Sequence, residues 1–313
     1  MNVLSLFDGM SCGQIALERA GIKVDNYFAS EIDKYAIEVT QKNYPNTIQL
    51  GDILKVFAKN LPKIDLLIGG SPCQGFSQAG NGLNFNDPRS KLFFEFVRLL
   101  KECKPKYFLL ENVRMKKKYQ DIISKYLNIK SIYINSDLLS AQTRKRFYWT
   151  NIPNIKQPKN KKIYLKDILE NQSINPNILQ LAHGGNKGGL RAKNGKVPSI
   201  TSSSWAYNNL LVDQCIQINP DKSCGGRQPS IQNRVYFEKG KSLALNTFCV
   251  HRVAKKYLDN INCLIRKLTP IECERLQTVP DNYTNYVSNS QRYKMLGNGW
   301  TVDVIVHILK NIK

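Results

Sequence analysis

Histidine is scarce in this chain of 313 residues, and its cysteines are never paired in a way that could hold a metal. His183, His251 and His307 lie far apart, and the eight cysteines include no Cys-x-x-Cys pair, which argues against a structural zinc site. The same cysteines make a poor disulfide framework. The chain is too large to need one, and its start, Met1-Asn2-Val3-Leu4-Ser5-Leu6-Phe7-Asp8, lacks the basic opening of a secretion signal. No apolar run is long enough to cross a bilayer. The expectation is a cytoplasmic protein with free thiols, no metal and no membrane partner. A Gly-x-Gly-x-x-Gly turn is also missing, which removes the fingerprint of a nicotinamide-dependent oxidoreductase.

Acidic residues are short in one part of the chain only. The first hundred residues carry ten Lys/Arg and ten Asp/Glu, so the whole net charge of +22 falls beyond them. A balanced first third and a basic remainder suggest a half that handles a small molecule and a half that meets a polyanion. Lysine runs such as Lys116-Lys117-Lys118 also suit an ordinary solvated surface.

Strand and helix signals alternate through the first half. Val3–Phe7, Asn26–Ser30, Ile64–Ile68, Tyr107–Leu110, Ile132–Ile134 and Arg146–Thr150 read as strands. Between them lie a helix ending at Gly21, one over Asp33–Asn43 and one over Leu92–Leu100. This alternation predicts an α/β fold with a mainly parallel sheet and helices on both faces. From about residue 152 to 262 the chain turns rich in Gly, Asn, Ser, Pro and Lys, which predicts a second, smaller, irregular β-containing domain. Helical signals return after Arg266, and Val302–Leu309 reads as a final apolar helix packing back on the first domain.

Several strand ends carry residues with chemistry. Ser71-Pro72-Cys73-Gln74 follows a buried strand and Gly69-Gly70, a turn that would leave the Cys73 thiol at the carboxyl edge of the sheet. A lone cysteine is more often a small buried hydrophobe. Asp8 in the turn Phe7–Gly13 would repel a diphosphate, so that loop suits a cationic or zwitterionic ligand. Glu31 is placed for a ribose diol and Asp52 for an adenine amino group. S-adenosylmethionine carries all of these features, although each acid alone is more often a cap or a surface charge. Glu111-Asn112-Val113 ends another strand, either as a partly buried acid or as a helix cap. In Gln142-Thr143-Arg144-Lys145-Arg146, alternation puts Gln142, Arg144 and Arg146 on one face. Those arginines suit phosphate, carboxylate or a base carbonyl, or an exposed basic edge.

In this order the segments resemble the cytosine-C5 DNA methyltransferases of bacterial and phage type. The resemblance rests on Leu6–Gly13, Pro72–Ser77, Glu111–Val113, Gln142–Arg146, Arg266–Gln277 and Gly297-Asn298-Gly299. It implies a Rossmann-like S-adenosylmethionine-dependent methyltransferase sheet, with a catalytic and cofactor domain over 1–154, target recognition over 155–262 and a hinge and return over 263–313. It implies catalysis by Cys73, Glu111, Arg146 and Arg144. S-adenosylmethionine would be bound by Phe7, Asp8, Gly9, Met10, Ser11, Gly13, Glu31, Ile32, Asp52, Ile53, Pro72, Leu92, Asn298, Gly299 and Trp300. Double-stranded DNA would meet Gln74, Ser77, Gln142, Arg227, Arg234 and Tyr236, with the loop Gln78–Ser90 as a lid hinged at Gly80 and Gly82. A cognate restriction endonuclease is a candidate partner, and a monomer is expected. Ala141 and Trp300 depart from the family pattern, where proline and a small aliphatic residue are usual. A tRNA methyltransferase of the same family and an idle DNA-binding regulator are the competing readings. The roughly hundred-residue middle region speaks against the first, and intact Cys73, Glu111 and Arg146 against the second.

Overall fold

A computed structural model describes residues 1–71, 88–170, 176–180, 189–190, 195–202, 209–213, 216–217, 236–237 and 265–313. Short, mostly apolar runs become strands of one sheet: β1 (Asn2–Leu6), β2 (Asn26–Ser30), β3 (Ile48–Gln49, only two residues), β4 (Leu66–Gly69), β5 (Tyr107–Val113), β6 (Ile132–Asn135) and, after the short β7 (Gln142–Thr143), β8 (Lys145–Thr150). The sheet order is β3-β2-β1-β4-β5-β8-β6. The pairings from β3 to β5 are parallel, and β8 runs antiparallel to both of its neighbours.

Alternation along these strands feeds two cores. In β1 and β4, Val3, Leu66 and Ile68 face one cluster, and Leu4, Leu6 and Leu67 face the other. Helices cover both faces, so the strands read as continuous apolar runs. The first face is covered by α1 (Cys12–Arg19) and α2 (Lys34–Asn43), and the second by α3 (Pro88–Cys103) and α4 (Lys117–Leu127). Phe93, Phe96 and Leu99 of α3 and Ile123 of α4 are fully buried there, each contributing about 2 kcal/mol by removal of apolar surface from water. Gly13 lets α1 sit close on the sheet, because a Cβ there would lie 2.6 Å from both Ile68 Cδ1 and the Tyr27 hydroxyl.

The middle of the chain contributes β9 (Pro176–Gln180), β10 (Gly189–Leu190), β11 (Val197–Pro198), β12 (Leu210–Asp213), β13 (Ile216–Gln217), β14 (Tyr236–Phe237) and β15 (Ile265–Lys267). Four of these form an antiparallel sheet in the order β10-β9-β12-β15. Strand β15 therefore still belongs to the small sheet, although it lies beyond residue 262. Strand β11 pairs in parallel with β7, and so ties the middle region to the segment that precedes β8.

The return begins at α5 (Pro270–Leu276). Thr269 caps it, Glu272 reaches back to the cap, and Pro270 opens the first turn. After α6 (Asn289–Asn298), helix α7 (Val302–Leu309) packs on α1, and Arg19 donates to Asp303. Among the described residues, no helix is long and apolar enough to cross a membrane.

Candidate active site

A cavity of about 730 Å³ opens at the carboxyl ends of β1, β2, β4 and β5. One end is made by the turn after β1. Phe7, Gly9 and Ser11 all have positive φ there (58°, 60° and 62°). For Phe7 and Ser11 that conformation costs about 1–2 kcal/mol each, strain of the kind that clusters at ligand sites. Glu31, at the end of β2, is fastened by three backbone amides: Gly9 N–H donates to Oε2 at 2.7 Å, and Ile32 and Asp33 N–H donate to Oε1 at 2.8 and 2.9 Å. A carboxylate offers about four acceptor positions, so room remains for a ligand hydroxyl. Ile32 is 76% exposed beside it, an aliphatic face in the cavity wall.

The Asp8 carboxyl turns inward. Tyr27 donates to Oδ1 at 2.7 Å and Ser11 to Oδ2. Burial pushes its pKa up to about 6, against the pull of those hydrogen bonds. Among the other residues expected at the cofactor, Met10 is buried and its carbonyl accepts from the Tyr283 hydroxyl at 2.8 Å. Ser11 is buried, and Gly13 serves the packing of α1. Asp52 caps the short turn over Ile53–Lys55 by accepting from Leu54 N–H at 3.0 Å. Ile53 lies in the core, and Leu92 packs against the same cluster. The structure does not bring Asp52, Ile53 or Leu92 into the cavity lining.

The other end holds Glu111 and Arg146. They meet because β5 and β8 are antiparallel neighbours, with Val113 opposite Arg146 and Glu111 opposite Tyr148. Arg146 Nε lies 2.7 Å from Glu111 Oε1, and both side chains are largely buried. Trp300 closes the far side of this pair, its indole N–H donating to Glu111 Oε2 at 3.2 Å. Asn298 and Gly299 complete that wall. Asn112 donates to the Ser71 hydroxyl at 3.2 Å and so fixes the last described residue before the Cys73 segment.

Arg144 and Gln142 share the inward face with Arg146, as alternation predicts, but their partners are mostly main-chain groups, with the Ser199 hydroxyl beside Arg144 and the Gln277 side chain beside Gln142. The Arg144 guanidinium donates to the carbonyls of Ile200, Gly297 and Gly299 at 2.9, 3.1 and 3.0 Å. Burial, helped by the charge of Arg146, lowers its pKa to about 9. Gln142, expected toward DNA, is fully buried: its amide donates to the Leu276 carbonyl at 3.2 Å and accepts from Ile200 N–H at 2.8 Å. Both residues brace the junction of β11, α5 and α6, because a buried polar group needs its partners close by.

Pro72, Cys73, Gln74, Ser77, Arg227 and Arg234 lie outside the described residues, as do Gly80, Gly82 and the expected lid up to residue 87. The lid's last residues, Pro88–Ser90, form the first turn of α3. Tyr236 is described as part of β14, paired with Gln217. Sequence reasoning did not single out Gly70, Tyr27 or the Trp300–Glu111 contact. The signal for Gly70 was present in the doubled Gly69-Gly70. The other two depend on side chains far apart in the chain.

An α/β sheet with a cavity at its strand ends, acids at one end and an acid–arginine pair at the other, defines a methyltransferase-type enzyme. The chain belongs to the family of C-5 cytosine-specific DNA methylases, whose family model matches residues 1–313. It is 31% identical to the type II methyltransferase M.FnuDI of Fusobacterium nucleatum, covering 100% of this chain and 94% of that one. It is 28% identical to the type II methyltransferase M.HhaI of Haemophilus parahaemolyticus, again over 100% and 94% of the two chains. A methyltransferase of Entamoeba histolytica shares the fold with a TM-score of 0.68 at 19% identity, over 99% of this chain and 97% of that one. Family membership makes this chain a cytosine-C5 methyltransferase acting on DNA, with S-adenosylmethionine as the implied methyl donor.

Proposed function

We propose that the protein methylates C5 of a cytosine turned out of duplex DNA, through a covalent bond between Cys73 and C6 of the base. The observation that carries this reading is that Glu111 and Arg146 share one cavity with the amide-fastened Glu31. A cofactor site and a base-sized polar site thus adjoin. Cytosine C5 is a weak nucleophile. Addition of the Cys73 thiolate to C6 forms an S–C6 bond and pushes electron density to C5. Glu111 contacts N3 and the exocyclic amino group, and Arg146 holds O2 and the negative charge that develops on the ring. C5 then takes a methyl group and becomes tetrahedral; a base removes the C5 proton, and expulsion of Cys73 breaks the S–C6 bond and restores the ring. The base must leave the stack to reach such a pocket.

The cavity fits S-adenosylmethionine by its chemistry. Asp8 and Glu31 suit a ligand with a cationic amine and a ribose diol and would repel a phosphate, and Ile32 offers an apolar face for a purine. When bound, that cofactor supplies the methyl group from its sulfonium. Phe7, Gly9, Glu31, Ile32, Asn298, Gly299 and Trp300 are the residues that would hold it. Asp8 acts through Ser11 and Tyr27, and Arg144 as a brace rather than a base contact. Residues 1–154 and the return after 263 form the catalytic unit, and 155–262 the recognition unit. Gln74, Ser77, Arg227, Arg234 and Tyr236 are the proposed DNA contacts, in line with the basic charge beyond residue 100. A monomer on DNA, with or without a cognate endonuclease, completes the reading.

The test is methyl transfer from radiolabelled S-adenosylmethionine to mixed-sequence duplex DNA and to tRNA, with Cys73→Ser alongside. The expected outcome is label in DNA with the wild type and none with the variant. Label in tRNA alone would replace DNA as the substrate, and undiminished transfer by Cys73→Ser would remove the covalent step.

A further inference from the structure

The side chain of Trp300 does more than fill space. The indole N–H points at Glu111 Oε2 (3.2 Å) while Arg146 Nε holds Oε1 (2.7 Å). Each carboxylate oxygen thus has one fixed donor, and the plane of the group is set from two sides. Gly70 makes the approach possible. A Cβ on residue 70 would sit 2.9 Å from Trp300 Nε1 and 3.2 Å from Glu111 Oε2, so any other residue would press between the two groups. The backbone of Trp300 is anchored at the opposite end of the cavity: Cys12 Sγ lies 3.9 Å from its carbonyl, and Gly299 packs against Met10 and Cys12. One residue therefore joins the first turn of α1, beside the cofactor end, to the carboxylate of the base end.

We propose that Trp300 is a positioning residue for Glu111, its indole N–H holding the carboxylate in the orientation that receives the cytosine edge. This rests on the reading of Glu111 as the group that contacts the base. A carboxylate held only by Arg146 could rotate about its side-chain bonds. With Trp300 in place, the lone pairs left over point into the cavity, and less ordering remains to be done when the base enters.

The test is the single-turnover rate of methyl transfer to duplex DNA by Trp300→Phe, which keeps a ring and loses the donor. A lost hydrogen bond to a charged group predicts a fall on the order of tenfold. The cofactor dissociation constant should stay within about twofold, since phenylalanine keeps the ring that faces the cavity, and that for DNA likewise, since most of its contacts lie elsewhere. In a Glu111→Ala background the same substitution should change nothing further, because a residue acting through Glu111 has no other route. The fluorine resonance of 5-fluorotryptophan at position 300, assigned by its loss in Trp300→Phe, should shift in Glu111→Ala. If Trp300→Phe does not fold, benzothienylalanine at position 300 replaces the N–H by sulfur in nearly the same shape.

An unchanged single-turnover rate would overturn the proposal. So would an equal loss in both backgrounds, or a weakened cofactor affinity at full rate, which would make Trp300 only a cofactor wall. A wild type that transfers no label to DNA fails the functional reading instead, and the fluorine shift still decides whether the two side chains are bonded.

Discussion

The two ends of the cavity are built by different means. At the cofactor end, Glu31 is fixed by three backbone amides and the turn is locked by positive φ at Phe7, Gly9 and Ser11. At the base end, Glu111, Arg146 and Trp300 hold one another by side chains alone. The first end is therefore set by the path of the chain and changes little when a ligand arrives. The second is a charge pair satisfied by itself, whose partners an incoming base must share. A backbone-built site gives affinity, and a side-chain-built site gives a group that can respond to the transition state.

The comparison can be broken most severely at the base end. Arg146→Ala removes the partner of Glu111 and the donor for the developing charge, so single-turnover transfer should fall about 10²–10³-fold. Cofactor affinity, measured by calorimetry on the same protein, should hold within about twofold if the two ends are separate. Comparable losses in both would mean they are not.

Arg144→Ala should divide the two arginines by kind. Arg144 holds three main-chain carbonyls in a buried junction, and leaving them unpaired should cost about 2–4 kcal/mol of stability. Urea unfolding would show this as a lower midpoint. Arg146→Ala, which strands the largely buried Glu111 carboxylate, should lower it as well, but with its main loss in methyl transfer. An Arg144→Ala midpoint equal to that of wild type would refute the brace.

The smallest expected effect sharpens the cofactor end. The Asp8 pKa is raised by burial from 3.8 to about 6. The native state thus holds this proton more tightly than the unfolded chain, so the group's contribution to stability is present below about pH 4 and lost as pH rises through 6. Asp8→Asn should melt a few degrees above wild type at pH 8, with the gap narrowing as pH falls through 6 and closing only below about pH 4. A cationic ligand favours the ionised carboxyl, so wild-type cofactor affinity should weaken as pH falls through 6, and the variant should lack that dependence. A pH-independent wild-type affinity would show that Asp8 only shapes the loop.

The sheet was legible in the sequence because both of its faces are covered. Val3–Phe7, Ile64–Ile68 and Tyr107–Leu110 are apolar on every residue or all but one, and a run of that kind has few alternatives to a buried strand. The helix at α5 was marked by its own cap, Thr269-Pro270-Ile271-Glu272. The antiparallel sense of β8 was not legible, because strand direction is set by where the chain returns. Glu111 and Arg146 were each visible as strand-end residues, but their contact depends on the β5–β8 register. Asp52 caps a turn and lies outside the cavity lining, and a carboxyl after Gly51 can serve a turn or a ligand equally well on paper. Gln142 and Arg144 lay on the correct face, yet their partners come from residues 200, 276, 297 and 299, which periodicity cannot reach.

The contacts of α7 and of the segment after α5 with α1 and the turn before it also bear on the order of events in folding. Arg19 bonds to Thr278, 259 positions away, and to Asp303, 284 away; the Tyr283 hydroxyl reaches Met10 across 273. Such closures come at a high entropic cost and form slowly compared with local helices and neighbouring strands. The strands can therefore assemble while the catalytic cavity still lacks its Asn298–Trp300 wall. Competence for methyl transfer is then a late arrival in folding, gained when the final helix docks.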